Sequence, residues 1–195
     1  MKYISDVLAK TADMANHSIE DVVAATTEGG DMFKKVNQSI ENFNASLVAL
    51  AKNNITGSKA GVAMRNIMLR LSAPAASGEA ALKKLGIRTK DSAGNLLNIV
   101  DIIKQFETSL KGVGTADAAE YLDAIFGKQN IAAAQTLISA GSDKLLEYTS
   151  VIDDSFGAAA QKAGVMRQSL KNQIAVLMSG LTELGFKFVD AFAKK

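Results

Sequence analysis

Apolar positions recur with helical spacing along almost the whole chain. Ile4, Val7, Leu8 and Ala12 fall on one face of a first helix that ends near Asn16 and His17. Ser18 has the chemistry of an N-cap, with Asp21 at the third helical position and Ile19, Val22 and Val23 following. Gly29-Gly30 is expected to break this second helix and leave Met32 to Val36 as a short third one. Ile40, Phe43, Leu47, Leu50 and Ala51 form a clean stripe for the next helix, capped by Ser39. After a loop at Asn53 to Gly57, Ser58 is expected to cap a helix filled by Val62, Met64, Ile67, Met68 and Leu71. Pro74 stops it, because its ring disfavours helix in the residue before it. Ser77 is then expected to cap a short helix through Ala81, Leu82 and Leu85, with Gly86 suited to its left-handed terminus.

The period changes at this point. Ile87 to Lys90 and Asn95 to Leu97 flank the turn Asp91-Ser92-Ala93-Gly94, which predicts a small β-hairpin near residues 87–97. Helices resume from Asn98 (Ile99, Ile102, Ile103, Phe106, Leu110) and from Thr115, after the break Gly112-Val113-Gly114. Ile125-Phe126-Gly127 separates that helix from one through Ile131, Ala134, Leu137 and Ile138. Gly141-Ser142 precedes another, carrying Leu145, Leu146, Val151 and Ile152. The last segment, about 158–192, is the longest. Its Leu170, Ile174, Leu177, Leu181, Leu184 and Phe188 are spaced 4, 3, 4, 3, 4, a heptad seam that serves either packing on the domain or self-association. The pattern predicts an all-α fold, a globular bundle of roughly eight to ten short helices with one hairpin and a long C-terminal helix. Residues 1–157 form the compact core in this reading, and 158–195 the long helix.

Composition narrows the function classes. An apolar fraction of 48% over 195 residues suffices for a packed core. Net charge is only +2, with Lys and Arg interleaved among Asp and Glu, so no nucleic acid is expected as a specific partner. The absence of cysteine removes disulfides, thiolate metal sites and cysteine nucleophiles. Asp6 and Lys10 interrupt any signal-peptide core, and the longest charge-free stretch, 129–142, falls short of the roughly 20 apolar residues a membrane span needs.

Candidate chemistry is sparse. His17, the only histidine, sits in a turn with no partner nominated for acid–base work. Gly57-Ser58-Lys59 lacks the glycine frame and preceding strand of a phosphate loop, and Gly112-Val113-Gly114 lacks a dinucleotide fingerprint. Asp91 to Asn95 lacks the carboxylates of a calcium loop, and Asp153-Asp154 point to different sides of a helix. No catalytic, cofactor-binding or metal residue is therefore expected. Arg65 and Arg70 interrupt an apolar helix, and a buried or half-buried guanidinium there would tie helix ends to carbonyls or a carboxylate.

The order of motifs carries a resemblance. Gly57 to Leu71 contains an Ala-Gly-x-Ala-x-Arg block (Gly61, Arg65, Leu71), followed by Leu85-Gly86-Ile87 and the turn Asp91 to Leu96 with Gly94. Next come Ile125-Phe126-Gly127-Lys128-Gln129, an alanine-rich helix, and a long stretch rich in Ala, Gln and Met. This order resembles the core region of bacteriophage tail tape-measure proteins over nearly the whole chain. The resemblance implies a virion structural segment, without enzymatic activity or cofactor, that acts as a scaffold for tail-tube assembly and tail length determination. It implies the tail tube protein and tail assembly chaperones as partners, self-association in the full-length protein, and residence in the tail lumen after assembly in the host cytoplasm. Family members run to many hundreds of residues, so the chain corresponds to their core alone. Two rival readings are an amphipathic membrane-acting module aiding genome delivery, suggested by the apolar Ile174 to Phe192, and a non-catalytic region beside a cell-wall hydrolase.

Overall fold

Side-chain caps begin three of the helices and left-handed residues end several of them in the computed structural model, which describes residues 2–155. These residues form nine helices: α1 (Lys2–Ala15), α2 (Ile19–Lys35), α3 (Ile40–Ala51), α4 (Gly57–Ser72), α5 (Ala76–Lys84), α6 (Ile99–Ser109), α7 (Thr115–Phe126), α8 (Ile131–Ala140) and α9 (Ser142–Asp153). Ser18, Ser39 and Asn98 act as N-caps, their side-chain oxygens accepting from the backbone N–H of Asp21, Asn42 and Val100. At the other ends, Asn16, Asn37, Asn54 and Gly86 take positive φ, at 55°, 57°, 58° and 69°. Each is followed by a residue whose N–H reaches back to a carbonyl in the last turn: His17 to Ala12, Gln38 to Phe33, Ile55 to Leu50 and Ile87 to Leu82.

α3 is the centre of the domain. All twelve of its residues are buried, and α1, α2, α4, α8 and α9 pack around it. Two of its polar side chains bond within the helix. Asn44 Nδ2 donates to the Ile40 carbonyl and Ser46 Oγ to that of Asn42. The Tyr3 hydroxyl donates to the Glu41 carboxylate and lies 3.2 Å from Asp153, linking α1, α3 and α9. Burial, and then these carboxylates, push the Tyr3 hydroxyl far above the usual phenol range. Two aromatic pairs fill the interior: Phe33 with Phe43 edge-on at 4.8 Å, and Phe106 with Phe126 at 5.5 Å.

Several sequence expectations are corrected. Gly29-Gly30 does not break a helix: α2 runs through it to Lys35, both glycines are buried, and Met32 to Val36 is the end of α2. Ser58 and Ser77 are not caps, since α4 and α5 begin at Gly57 and Ala76 without a side-chain cap. The hairpin over 87–97 does not form. Its pairing reduces to one antiparallel bridge, Lys90 with Leu96, and the described residues contain no strand. Two backbone hydrogen bonds still cross between the arms, from the Asp91 N–H to the Asn95 carbonyl and from the Leu97 N–H to the Thr89 carbonyl. On the edge that faces away from the other arm, Gln105 accepts from the Arg88 N–H at 2.8 Å and donates to the Arg88 carbonyl at 2.9 Å. Gln38 donates to the Leu97 carbonyl, a group the arms would otherwise share, and accepts from the Ile99 N–H. The long C-terminal helix expected over 158–195, with its seam, lies outside the described residues.

Candidate functional site

Two of the motif residues, Gly61 and Arg65, lie at the contact between α2 and α4, where two helix backbones touch. A Cβ built on Gly61 would sit 2.2 Å from the carbonyl oxygen of Ala25 and 2.8 Å from its carbonyl carbon and Cα. A Cβ on Gly29 would meet the Gly61 carbonyl oxygen at 2.6 Å and the Phe43 ring at 2.8 Å. Glycine is required at both positions for closeness, since neither takes a positive φ. Beside this crossing, Arg65 pairs with Glu28 of α2 at 3.3 Å. Both side chains are substantially exposed, 46% and 38%, so the pair is a solvated clasp worth under about 1 kcal/mol. The expected carboxylate partner is thus Glu28 on another helix, and the Arg65 guanidinium is exposed where burial or half-burial was expected. Leu71, further along α4, is wholly buried.

Phe126 and Gly127 form a second contact, against the C-terminal half of α4. Phe126 is buried on Phe106, and Gly127 terminates α7 with φ 76° and ψ 151°. That combination is essentially confined to glycine. The Arg70 guanidinium lies 3.7 Å from where a Gly127 Cβ would stand. Asn130 completes the joint, donating to the Phe126 carbonyl and accepting from Asn66 of α4. Gly86 and Gly94 stand apart from both contacts. Each has positive φ with no atom within 4 Å of an added Cβ, so they serve loop geometry alone. At the exposed turn, Asp91 Oδ1 accepts from the N–H of Ala93 and Asn95, and Oδ2 from the Asn95 amide. The Asn95 hydrogen bonds foremost hold the Asp91 carboxyl below the usual carboxylate range.

Reacting groups are not brought together. His17 lies 3.8 Å from Asp21, the residue whose N–H meets the Ser18 cap. The Asp21 carboxylate also stands beside Gly57, where a phosphate loop would need an anion-accepting space. Among the described residues no cluster of three or more His, Cys, Asp or Glu is placed to hold a metal, and no helix is long and apolar enough to cross a membrane. An open groove of about 600 Å³ between α4 and α8 is lined by amides such as Asn66, Gln129 and Asn130, by Lys59 and by apolar residues such as Val62 and Ala133.

These geometries are helix-packing devices, and comparison with known proteins gives them a family. The model of the phage-related minor tail proteins matches residues 1–127, the span that holds every one of the motif residues above. The chain belongs to this family. Two relatives extend the match beyond that span. One is the "probable tape measure protein" of Escherichia phage P2, 34% identical over 191 residues, which covers 96% of this chain and 23% of that protein. The other is the "tape measure protein" of Pneumococcus phage Dp-1, 26% identical over 172 residues, covering 88% of this chain and 15% of that one. The chain therefore spans less than a quarter of either relative. No solved structure matches it. In this minor tail protein, Gly61, Leu71, Phe126 and Gly127 act in packing and chain reversal, and Arg65 in the clasp on α2. Sequence reasoning missed Glu28, Gln38, Gln105 and Asn130, because an isolated polar residue carries no spacing that nominates its distant partner.

Proposed function

We propose that the chain is a structural segment of a phage tail tape measure protein, serving as a scaffold for tail-tube assembly and tail length determination. The observation that carries this reading is the match to a tape measure protein over 96% of the chain, falling on a domain whose motif residues are engaged in helix packing. Within that role the segment acts as a docking module. A straight helix of the described residues would reach roughly 230 Å, whereas a domain of this size has a radius of gyration of about 15 Å. The metering length then lies in flanking helices. The tail tube protein and assembly chaperones are its partners in this proposal, with the tail lumen as its site after assembly in the host cytoplasm. It carries out no catalysis, and copies associate through the seam from Leu170 to Phe188.

The test inserts one helical cassette, about 20 residues, either into a flanking helix of the full-length polypeptide or into the exposed Asp91–Asn95 turn. Tails are then measured by electron microscopy. The flanking insertion lengthens tails by up to about 30 Å, and the turn insertion leaves length unchanged. Equal lengthening from both sites would show that the segment is extended in the tail and is itself part of the ruler.

A further inference from the structure

The exposed polar side chains around the groove between α4 and α8 play no part in holding the fold together. Among the described residues, Asn53, Asn54, Ser58, Lys59 and Gln129 are exposed there, and their side chains make no hydrogen bond or ion pair. Gln38, Gln105 and Asn130 behave differently, each donating to a backbone carbonyl. Between the unengaged groups the lining is apolar, with Ile55, Ala63 and Ala133 buried and Val62 and Ala132 nearer the surface. At one end Asn66 donates to Asn130 at 3.4 Å, joining the two helices, and Ser58 and Lys59 lie roughly 12 Å back along α4. Lys59 is the one charged residue among the described residues of the lining. The volume, about 600 Å³, falls among those of ligand-binding clefts, roughly 300–1,000 Å³.

We propose that this groove binds an extended peptide segment of a partner protein, with a carboxylate of that segment set against Lys59. Each primary amide offers two donor hydrogens and an acceptor oxygen. That is the chemistry a polypeptide backbone needs when its own N–H and C=O groups are unpaired. A helical partner satisfies those groups internally, so it would leave the amides of Asn53, Asn54 and Gln129 idle. An extended chain advances about 3.3 Å per residue, so the distance from Lys59 to Asn66 takes about four residues. Alternate side chains point to opposite faces, and about two of the four therefore enter the groove. The small Ala63, Ala132 and Ala133 leave them room for aliphatic groups. With Lys59 as the charge at its end, the groove favours a carboxylate there and disfavours an ammonium. Peptide binding and tail length are separate measurements, so this assignment stands or falls apart from the tail reading.

The probes are two acetylated and amidated tetrapeptides, Leu-Ala-Leu-Asp and Asp-Leu-Ala-Leu, which place the carboxylate at either end. Their controls carry Lys in place of Asp. Each is titrated into the full chain labelled with nitrogen-15, and the side-chain amide signals of Asn53, Asn54 and Gln129 are followed by NMR. At least one aspartate peptide is expected to shift these signals saturably. Lys59→Glu weakens that binding by about two- to fivefold and strengthens binding of the matching lysine peptide by a similar factor. Ala132→Trp, a change at an exposed position of α8, fills the groove and abolishes the shifts. A thermal melt checks that this variant is folded, and should it not be, the Lys59→Glu comparison decides alone. No shift with either aspartate peptide overturns the proposal. So does binding of the lysine peptides to the parent chain as tight as that of the aspartate ones, or binding that survives in folded Ala132→Trp.

Discussion

Replacing Gly61 by alanine sets two well-known effects against each other with opposite signs. In an open helix, Gly→Ala stabilises by about 1 kcal/mol through reduced backbone entropy. Here the new methyl would stand 2.2 Å from the Ala25 carbonyl oxygen, well over 1 Å inside ordinary contact. Every atom it meets within 3 Å belongs to backbone, so no rotamer change relieves it and α2 and α4 must separate. Overpacking costs about 1–3 kcal/mol when side chains give way. With two helix backbones in contact the upper end applies, at about 3 kcal/mol. Subtracting the helix-propensity gain leaves a net loss of about 2 kcal/mol. For a domain of this size that lowers the melting midpoint by about 4–8 °C, which circular dichroism measures directly. Ala25→Gly should not rescue the variant, because the oxygen, carbonyl carbon and Cα that clash remain. A Gly61→Ala midpoint at or above the parent value would refute the reasoning, as would rescue by Ala25→Gly.

Two further outcomes follow from the geometry. Gly127→Val is expected to lose more than about 1 kcal/mol, since φ 76° with ψ 151° excludes a β-branched residue, and an unchanged urea midpoint would show otherwise. The Asp91 turn should loosen only in strong acid. Its carboxyl is held below the usual range when folded, so the stabilisation is present above the unfolded value and disappears as pH falls through the lower folded one. An NMR titration of the Asp91 carboxyl and the Ala93 and Asn95 amides should place the midpoint below that of an ordinary aspartate. A midpoint at or above it contradicts this.

The helical class, the serine caps at 18 and 39, and the positive φ of Gly86 and Gly127 were legible because each rests on local chemistry. Gly29-Gly30 misled because local propensity reads it as a break, while the contact that keeps it helical comes from Gly61 and Phe43, far along the chain. The hairpin stops at one bridge for a related reason, because the Leu97 carbonyl is taken by Gln38, a partner with no local signature. Arg65 was found by its place in a motif, yet its exposed pairing with Glu28 could not be read from α4 alone.

The burial of α3 on every side also governs how the domain comes apart. A peripheral helix such as α5, which packs mainly on α7, can open while the rest persists. α3 has no such freedom, because it touches five other helices and exposes none of its twelve residues. Its amide protons can exchange with solvent only when the whole domain unfolds, so they should be the last to do so. A force that draws the chain out end first would accordingly peel the outer helices gradually and then meet one abrupt yield, when α3 loses all its neighbours together.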